Sequence, residues 1–199
     1  MMMTQVLMLI GSYLFGAIPA GYLAFRLGKK GDLREHGSGT TGATNTLRTA
    51  GWKIAVPVLL FDIFKGVLPV LLAAHWFQAV WLPPAAGLAA ILGHCFPVYI
   101  GFRGGKGVAT AIGCFLALAP SPLLCALGVF LLVVALTRII SLSSLAATAS
   151  IPLFALLLGR SRETILLGLL VFVLVVIQHR ENIGRLIAGN ERRLGEKAT

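Results

Sequence analysis

The 199-residue chain is 57% apolar and only 12% charged, with a mean hydropathy of +0.90. Soluble domains average roughly 25% charged residues, so this composition excludes a water-solvated globule and makes lipid the main solvent. A net charge of +10 could suit a nucleic-acid partner, but the placement of the basic residues points instead to anionic lipid headgroups and phosphorylated substrates, and no nucleic acid is expected.

The Lys, Arg, Asp and Glu residues number 24 and are clustered, leaving charge-free runs at 1–25, 66–102, 107–137, 139–159 and 164–179. A helix crosses a bilayer with roughly 20 apolar residues. Backbone polar groups in lipid must be satisfied within the segment, so these runs predict helices. The alternation expected of membrane strands is missing. In chain order the predicted helices are 4–25, 54–74, 85–100, 108–119, 123–137, 139–159 and 164–178, the fourth being short. The first is read as a retained helix rather than a signal peptide. No basic residue precedes it, no clear small-residue cleavage site ends it, and Arg26, Lys29 and Lys30 follow it. Pro83–Pro84 and Pro120-Ser121-Pro122 supply two of the turns. No internal repeat is evident. The expected fold is all-α: a polytopic membrane bundle of about seven helices, forming a single integral membrane domain over residues 1–199. Cys95, Cys114 and Cys125 lie in or beside apolar stretches and read as structural thiols.

Charge bias sets the orientation. With seven crossings and an external N-terminus, the inside segments hold Arg26, Lys29, Lys30, Arg34, Arg48, Lys53, Arg103, Lys106, Arg138, Arg180, Arg185, Arg192, Arg193 and Lys197. Only Arg160 and Arg162 fall outside, and Lys65 lies within a helix. This split of 14 to 2 predicts a cytoplasmic C-terminus in the cytoplasmic membrane. Reading 107–137 as one crossing would put the basic tail outside.

Three polar stretches then share the cytoplasmic face. The first, GSGTTGATNTLR at 37–48, offers glycines whose N–H groups can converge, hydroxyls, and an arginine able to grip phosphate bidentately. It formally matches G-x-G-x-x-G, but it follows a membrane helix rather than a strand, so the dinucleotide reading fails. A flexible polar loop is the alternative. The second runs from Gly93-His94-Cys95-Phe96-Pro97 into Gly101-Phe102-Arg103-Gly104-Gly105-Lys106-Gly107. Its glycines allow close approach of an anion before a helix that opens at Val108. It is no Walker loop, because Ile100 and Gly107 occupy diagnostic positions. A short basic turn is the alternative. The third, 179–195, places Ile183, Leu186 and Ile187 on one face of an interfacial helix. A plain anchor would not account for His179 and Asn182, which share a face at the membrane boundary. Asp62 and Lys65 sit three apart within the second helix, which permits either an ion pair or a functional role.

GSGTTGATNTLR, the D-x-x-K-G of residues 62–66, LGHCFPVYIGFRGGKGVAT and HRENIGRLIAGNERRLG, in this order, closely resemble the bacterial acyl-phosphate:glycerol-3-phosphate acyltransferase family. The resemblance runs from the first helix through the tail. It implies acyl transfer from acyl phosphate to glycerol 3-phosphate, giving lysophosphatidic acid and inorganic phosphate in phospholipid assembly. It implicates Ser38, His179 and Asn182 in catalysis. It places Arg48, Gly104, Gly105, Lys106 and Gly107 in substrate binding, with Lys53, His94 and Arg103 completing that candidate set, and makes Glu191 structural. Thr40 stands where the family usually has Asn, and Arg103 where it often has Lys. No metal or cofactor is expected. The partners implied are both substrates, membrane lipids and the soluble enzyme that makes acyl phosphate.

The residues support this chemistry independently. No H-x4-D acyltransferase pair can be written, since Thr41, Val80, Tyr99 and Gly184 stand five after the four histidines. A mixed anhydride already carries a good leaving group, so positioning and electrostatics could supply much of the rate. Either His179 or a phosphate oxygen of the donor could take the hydroxyl proton; the lack of an identifiable base–orienter pair favours the donor. A non-catalytic transporter or anion-binding membrane protein is the competing class.

Overall fold

The computed structural model describes residues 2–29 and 31–195, with the side chain of Lys29 not described. Lys30 and Lys197, counted above among the inside charges, lie outside the described residues. Among the described residues the structure is helical, with no strand. The chain forms two compact units, one built up to Cys114 and one from Phe115 onward.

In the first unit, α1 (Met2–Gly16) and α2 (Ala20–Lys29) replace the single helix predicted at 4–25. Pro19 lacks an N–H and disfavours the α conformation at Ile18, which interrupts the helix. Together, Met2–Gly28 is still long and apolar enough for one span. A short polar helix, α3 (Ala43–Ala50), precedes α4 (Trp52–Trp76). The helix α5 (Leu82–Cys95) opens with Pro83 and Pro84 in its first turn, where missing N–H groups cost least. Close helix contacts run through small residues. A Cβ on Gly16 would strike the Ala90 carbonyl, one on Gly93 the Tyr13 carbonyl, and one on Gly66 the Thr110 carbonyl. Helix association in lipid relies on such close packing, because apolar side chains gain little by leaving lipid for one another.

The short helix α6 (Val108–Leu118) carries the chain across the division between the units. The second unit contains α7 (Pro120–Thr137), α8 (Ile140–Leu157), α9 (Arg162–Gln178) and α10 (Arg180–Ile187). Arg138, left-handed at φ 62°, reverses the chain between α7 and α8. Gly168 of α9 packs on the backbone of Pro152 in α8. Ser161 caps α9 by accepting from Thr164 N at 3.3 Å. Among the described residues, five helical segments are long and apolar enough to cross a membrane, α9 with α10 makes a sixth bent by 66°, and α6 is shorter.

Candidate active site

The first polar loop is held by an unusual density of hydrogen bonds to two side chains. A 3-10 turn at Leu33–Glu35 is capped by Asp32, whose Oδ1 accepts from Arg34 N at 2.9 Å. The Arg34 guanidinium grips the same carboxylate at 2.7 Å, and its Nη1 donates to the Ile100 carbonyl at 2.7 Å. Arg34 therefore ties the first loop to the second. That hydrogen bonding holds the Asp32 carboxyl below its ordinary range. The buried Asn45, on the first turn of α3, organises the rest. Its Oδ1 accepts from Ser38 N at 2.8 Å, while Nδ2 donates to the carbonyls of Thr40, His36 and Leu33 at 2.9, 3.0 and 3.3 Å. One amide so closes a loop that has no helix or sheet ladder to close it. Gly37 is left-handed at φ 65°, and a side chain there would run into the Asn45 amide. The segment is thus a loop closed by its own side chains. Ser38 is half-buried with its hydroxyl 3.1 Å from that of Thr40. Arg48 is half-buried on α3, and Lys53 is exposed on the first turn of α4.

The second loop folds back on the end of α5. Gly104 N donates to the Cys95 carbonyl at 3.2 Å and Gly105 N to the His94 carbonyl at 3.1 Å, which satisfies orphaned acceptors of the helix end. Thr41 N donates to the Gly104 carbonyl at 3.4 Å, a second tie between the loops. The glycines also permit close packing within the protein. A Cβ on Gly104 would strike the His94 carbonyl, and one on Gly105 the His94 imidazole. On that side the space is filled by protein, not open to an anion. His94 is buried, Arg103 exposed and Lys106 half-buried. Gly107, at φ 84°, turns the chain into α6.

The second unit has its own polar site where α9 bends into α10. His179 Nδ1 lies 2.8 Å from the Val175 carbonyl. A carbonyl only accepts, so Nδ1 carries the hydrogen, and Nε2 is the basic nitrogen of the neutral ring. Asn182 Nδ2 donates to Glu191 Oε1 at 2.5 Å, Ser141 Oγ to the same oxygen at 2.8 Å, and Arg185 Nε to Oε2 at 2.6 Å. Burial alone would push the Glu191 carboxyl up, but these hydrogen bonds and the Arg185 charge outweigh it and hold it low. The tail is also strapped to the α7–α8 turn by Leu194 N donating to the Arg138 carbonyl at 2.6 Å.

Loops bearing hydroxyls and cations suit phosphate, and an oriented His–Asn pair suits a hydroxyl or phosphate oxygen. The family profile described as glycerol-3-phosphate acyltransferase matches residues 6–189. The chain belongs to the glycerol-3-phosphate acyltransferase family. A glycerol-3-phosphate acyltransferase of Synechococcus sp. (strain CC9902) is 46% identical over 99% of this chain and 98% of its own length. One from Trichlorobacter lovleyi is 48% identical over 92% of this chain and 94% of its own. A crystal structure of PlsY (YgiH), an integral membrane glycerol 3-phosphate acyltransferase in its glycerol 3-phosphate form, matches with a TM-score of 0.92 and 40% identity, covering 96% of both chains. Its lysophosphatidic acid form matches at 0.89 and 39%, again over 96% of both chains.

Of the residues expected from sequence, this acyltransferase gathers Ser38, Arg48, Lys53, His94 and Arg103–Gly107 into the first unit and His179, Asn182 and Glu191 into the second. Sequence reasoning misses three structural roles. Asn45 lies within the first motif, where an asparagine seven after Ser38 and following two glycines is a natural loop closer. Arg34 reads from sequence only as a topogenic charge. Ser141, on a distant helix, gave no local signal.

Proposed function

We propose that this enzyme, an acyltransferase, moves a fatty acyl group from acyl phosphate to glycerol 3-phosphate, making lysophosphatidic acid and releasing inorganic phosphate. The observation that carries this reading is the pair of glycine-bearing loops, locked together by Arg34 and Thr41 and flanked by Arg48, Arg103 and Lys106. Glycerol 3-phosphate and acyl phosphate are both anionic, and the loops provide hydroxyls and positive charge. A hydroxyl of glycerol 3-phosphate attacks the acyl carbonyl carbon, the carbon–oxygen bond to phosphate breaks, and the departing phosphate takes the hydroxyl proton. Arg48, Lys53, His94, Arg103, Lys106 and the glycines 104, 105 and 107 serve substrate binding. Ser38, His179 and Asn182 serve catalysis, and Glu191 fixes Asn182.

The same reading has residues 1–199 acting as one membrane domain with seven crossings. The N-terminus lies outside, the C-terminus and the active face are cytoplasmic, and the acyl chain enters from the lipid. Acyl phosphate reaches that face from the soluble enzyme that makes it. Purified protein supplied with glycerol 3-phosphate and palmitoyl phosphate should form lysophosphatidic acid, whereas acyl-CoA and acyl-carrier thioesters should not substitute. Turnover with acyl-CoA at a comparable rate refutes the donor assignment, and no product from any donor refutes the reaction.

A further inference from the structure

Asp62 and Lys65 lie three apart on α4, each only 1% exposed. Lys65 Nζ stands 2.9 Å from Asp62 Oδ1 and donates to the Ile18 carbonyl at 3.0 Å, at the interruption between α1 and α2. His94 Nδ1 of α5 is 3.5 Å from the same Asp62 oxygen. The imidazole is therefore placed between a buried carboxylate on one side and Gly105 on the other. Residue 94 meets the second loop twice, through its carbonyl to Gly105 N and through its ring beneath the Gly105 Cα. Rotation of that ring would either invade or vacate the space under the loop. An ion pair serving stability alone would need neither the imidazole nor the loop, and buried charges at lipid depth are costly enough to call for a function.

We propose that Asp62 and Lys65 are positioning residues for the phosphate end of glycerol 3-phosphate. Lys65 fixes Asp62 and ties it to the break in the first span. Asp62 fixes the His94 ring, and the ring sets the position of the Gly104–Gly105 backbone. The proposal rests on the substrate reading above and extends it to two residues that touch no substrate.

The test uses full-length protein in lipid nanodiscs, with KM and kcat for glycerol 3-phosphate, its Kd by calorimetry, and Tm. Two double variants remove the buried charges together and so leave no orphaned ion. Asp62→Leu/Lys65→Met takes away the acceptor facing His94, while Asp62→Asn/Lys65→Met keeps one. The Leu/Met protein is expected to raise KM and Kd about tenfold or more, with kcat within about threefold of wild type. The Asn/Met protein should recover most of that loss at a similar Tm. Wild-type KM and Kd in the Leu/Met protein overturn the proposal, and so does equal impairment of both doubles. Should the doubles fail to fold, Gly105→Ala probes the same contact from the loop. Its methyl must displace the imidazole and raise KM about tenfold or more, and an unchanged KM overturns the proposal. If the wild type binds glycerol 3-phosphate but turns over no acyl phosphate, the acyl-transfer reading falls and the Kd series still decides this one. If the wild type does not bind it, both fall.

Discussion

His179 is the residue on which the proton question turns. Its Nδ1–H is committed to the Val175 carbonyl, which orients Nε2. The proposed mechanism has it hold the donor phosphate rather than take a proton. His179→Gln keeps hydrogen bonding without basicity. We expect kcat to fall by roughly 2–13-fold, the cost of one neutral hydrogen bond, whereas loss of a general base costs about 10²–10⁴. A collapse of a thousandfold or more in folded protein would make His179 the base. Glu191 makes a pH prediction. Its carboxyl is held low in the fold, so the stability it lends is present above the ordinary glutamate value and is lost as pH falls through the lower folded one. After correction for intrinsic rates, amide exchange at Leu194 should accelerate as pH falls below the ordinary glutamate range, and Glu191→Gln should exchange fast at every pH. An exchange rate in wild type that ignores pH would separate Glu191 from the tail's anchoring. Part of this chemistry was legible in sequence: hydroxyls, glycines and cations suggest an anion, and the three-residue spacing of Asp62 and Lys65 permitted the ion pair that the structure shows. It could not announce that His94 joins them, or that Ser141 reaches Glu191 from 50 residues away, because those contacts exist only once helices have packed.

Among elements, the apolar helices were legible because lipid imposes length and backbone closure together, leaving few alternatives to a helix. Two details were not. The interruption at 17–19 hides inside an unbroken apolar run, where only Pro19 marks it. The polar α3 has no apolar run at all, and its sequence, rich in threonine, has weak helix propensity. Asn45 and Thr46 are nonetheless buried there, so tertiary contacts overrule local preference. Glycine positions give an element-level prediction. Gly93 faces the Tyr13 carbonyl with no room for a methyl, whereas Gly128 on α7 has nothing within 4 Å of its missing Cβ. Gly93→Ala should destabilise by about 1–3 kcal/mol through overpacking of α1 on α5, and Gly128→Ala should stay within about 1 kcal/mol of wild type. Thermal unfolding in one detergent compares the two directly. Equal Tm values would mean that α1 and α5 can separate enough to admit the methyl, and that their close approach is not what holds the first unit together.

For the whole chain, the decisive question is whether α6 crosses. Its 11 residues reach about 16 Å, roughly half of a ~30 Å hydrocarbon core. Length alone would make it a re-entrant segment. The basic residues oppose that. If α6 crosses, 14 Lys and Arg lie inside and 2 outside. If it turns back, every later segment changes side: Arg160 and Arg162 move in, while Arg138 and the five basic residues of the tail move out, leaving 10 inside and 6 outside. Positive charge near helix ends is retained on the cytoplasmic side, so crossing is favoured. Single cysteines in a Cys125→Ser background separate the two arrangements, since Cys95 and Cys114 are buried. With a membrane-impermeant thiol reagent on sealed cells, a probe in the 78–81 turn should label from outside and a probe at Gly104 should not. These two report the orientation of the first spans, and labelling at Gly104 would reverse it. The probe that tests α6 is one at Arg192 in the tail. If α6 crosses, it stays protected until the cells are opened. If it labels from outside while Gly104 is protected, α6 turns back within the membrane.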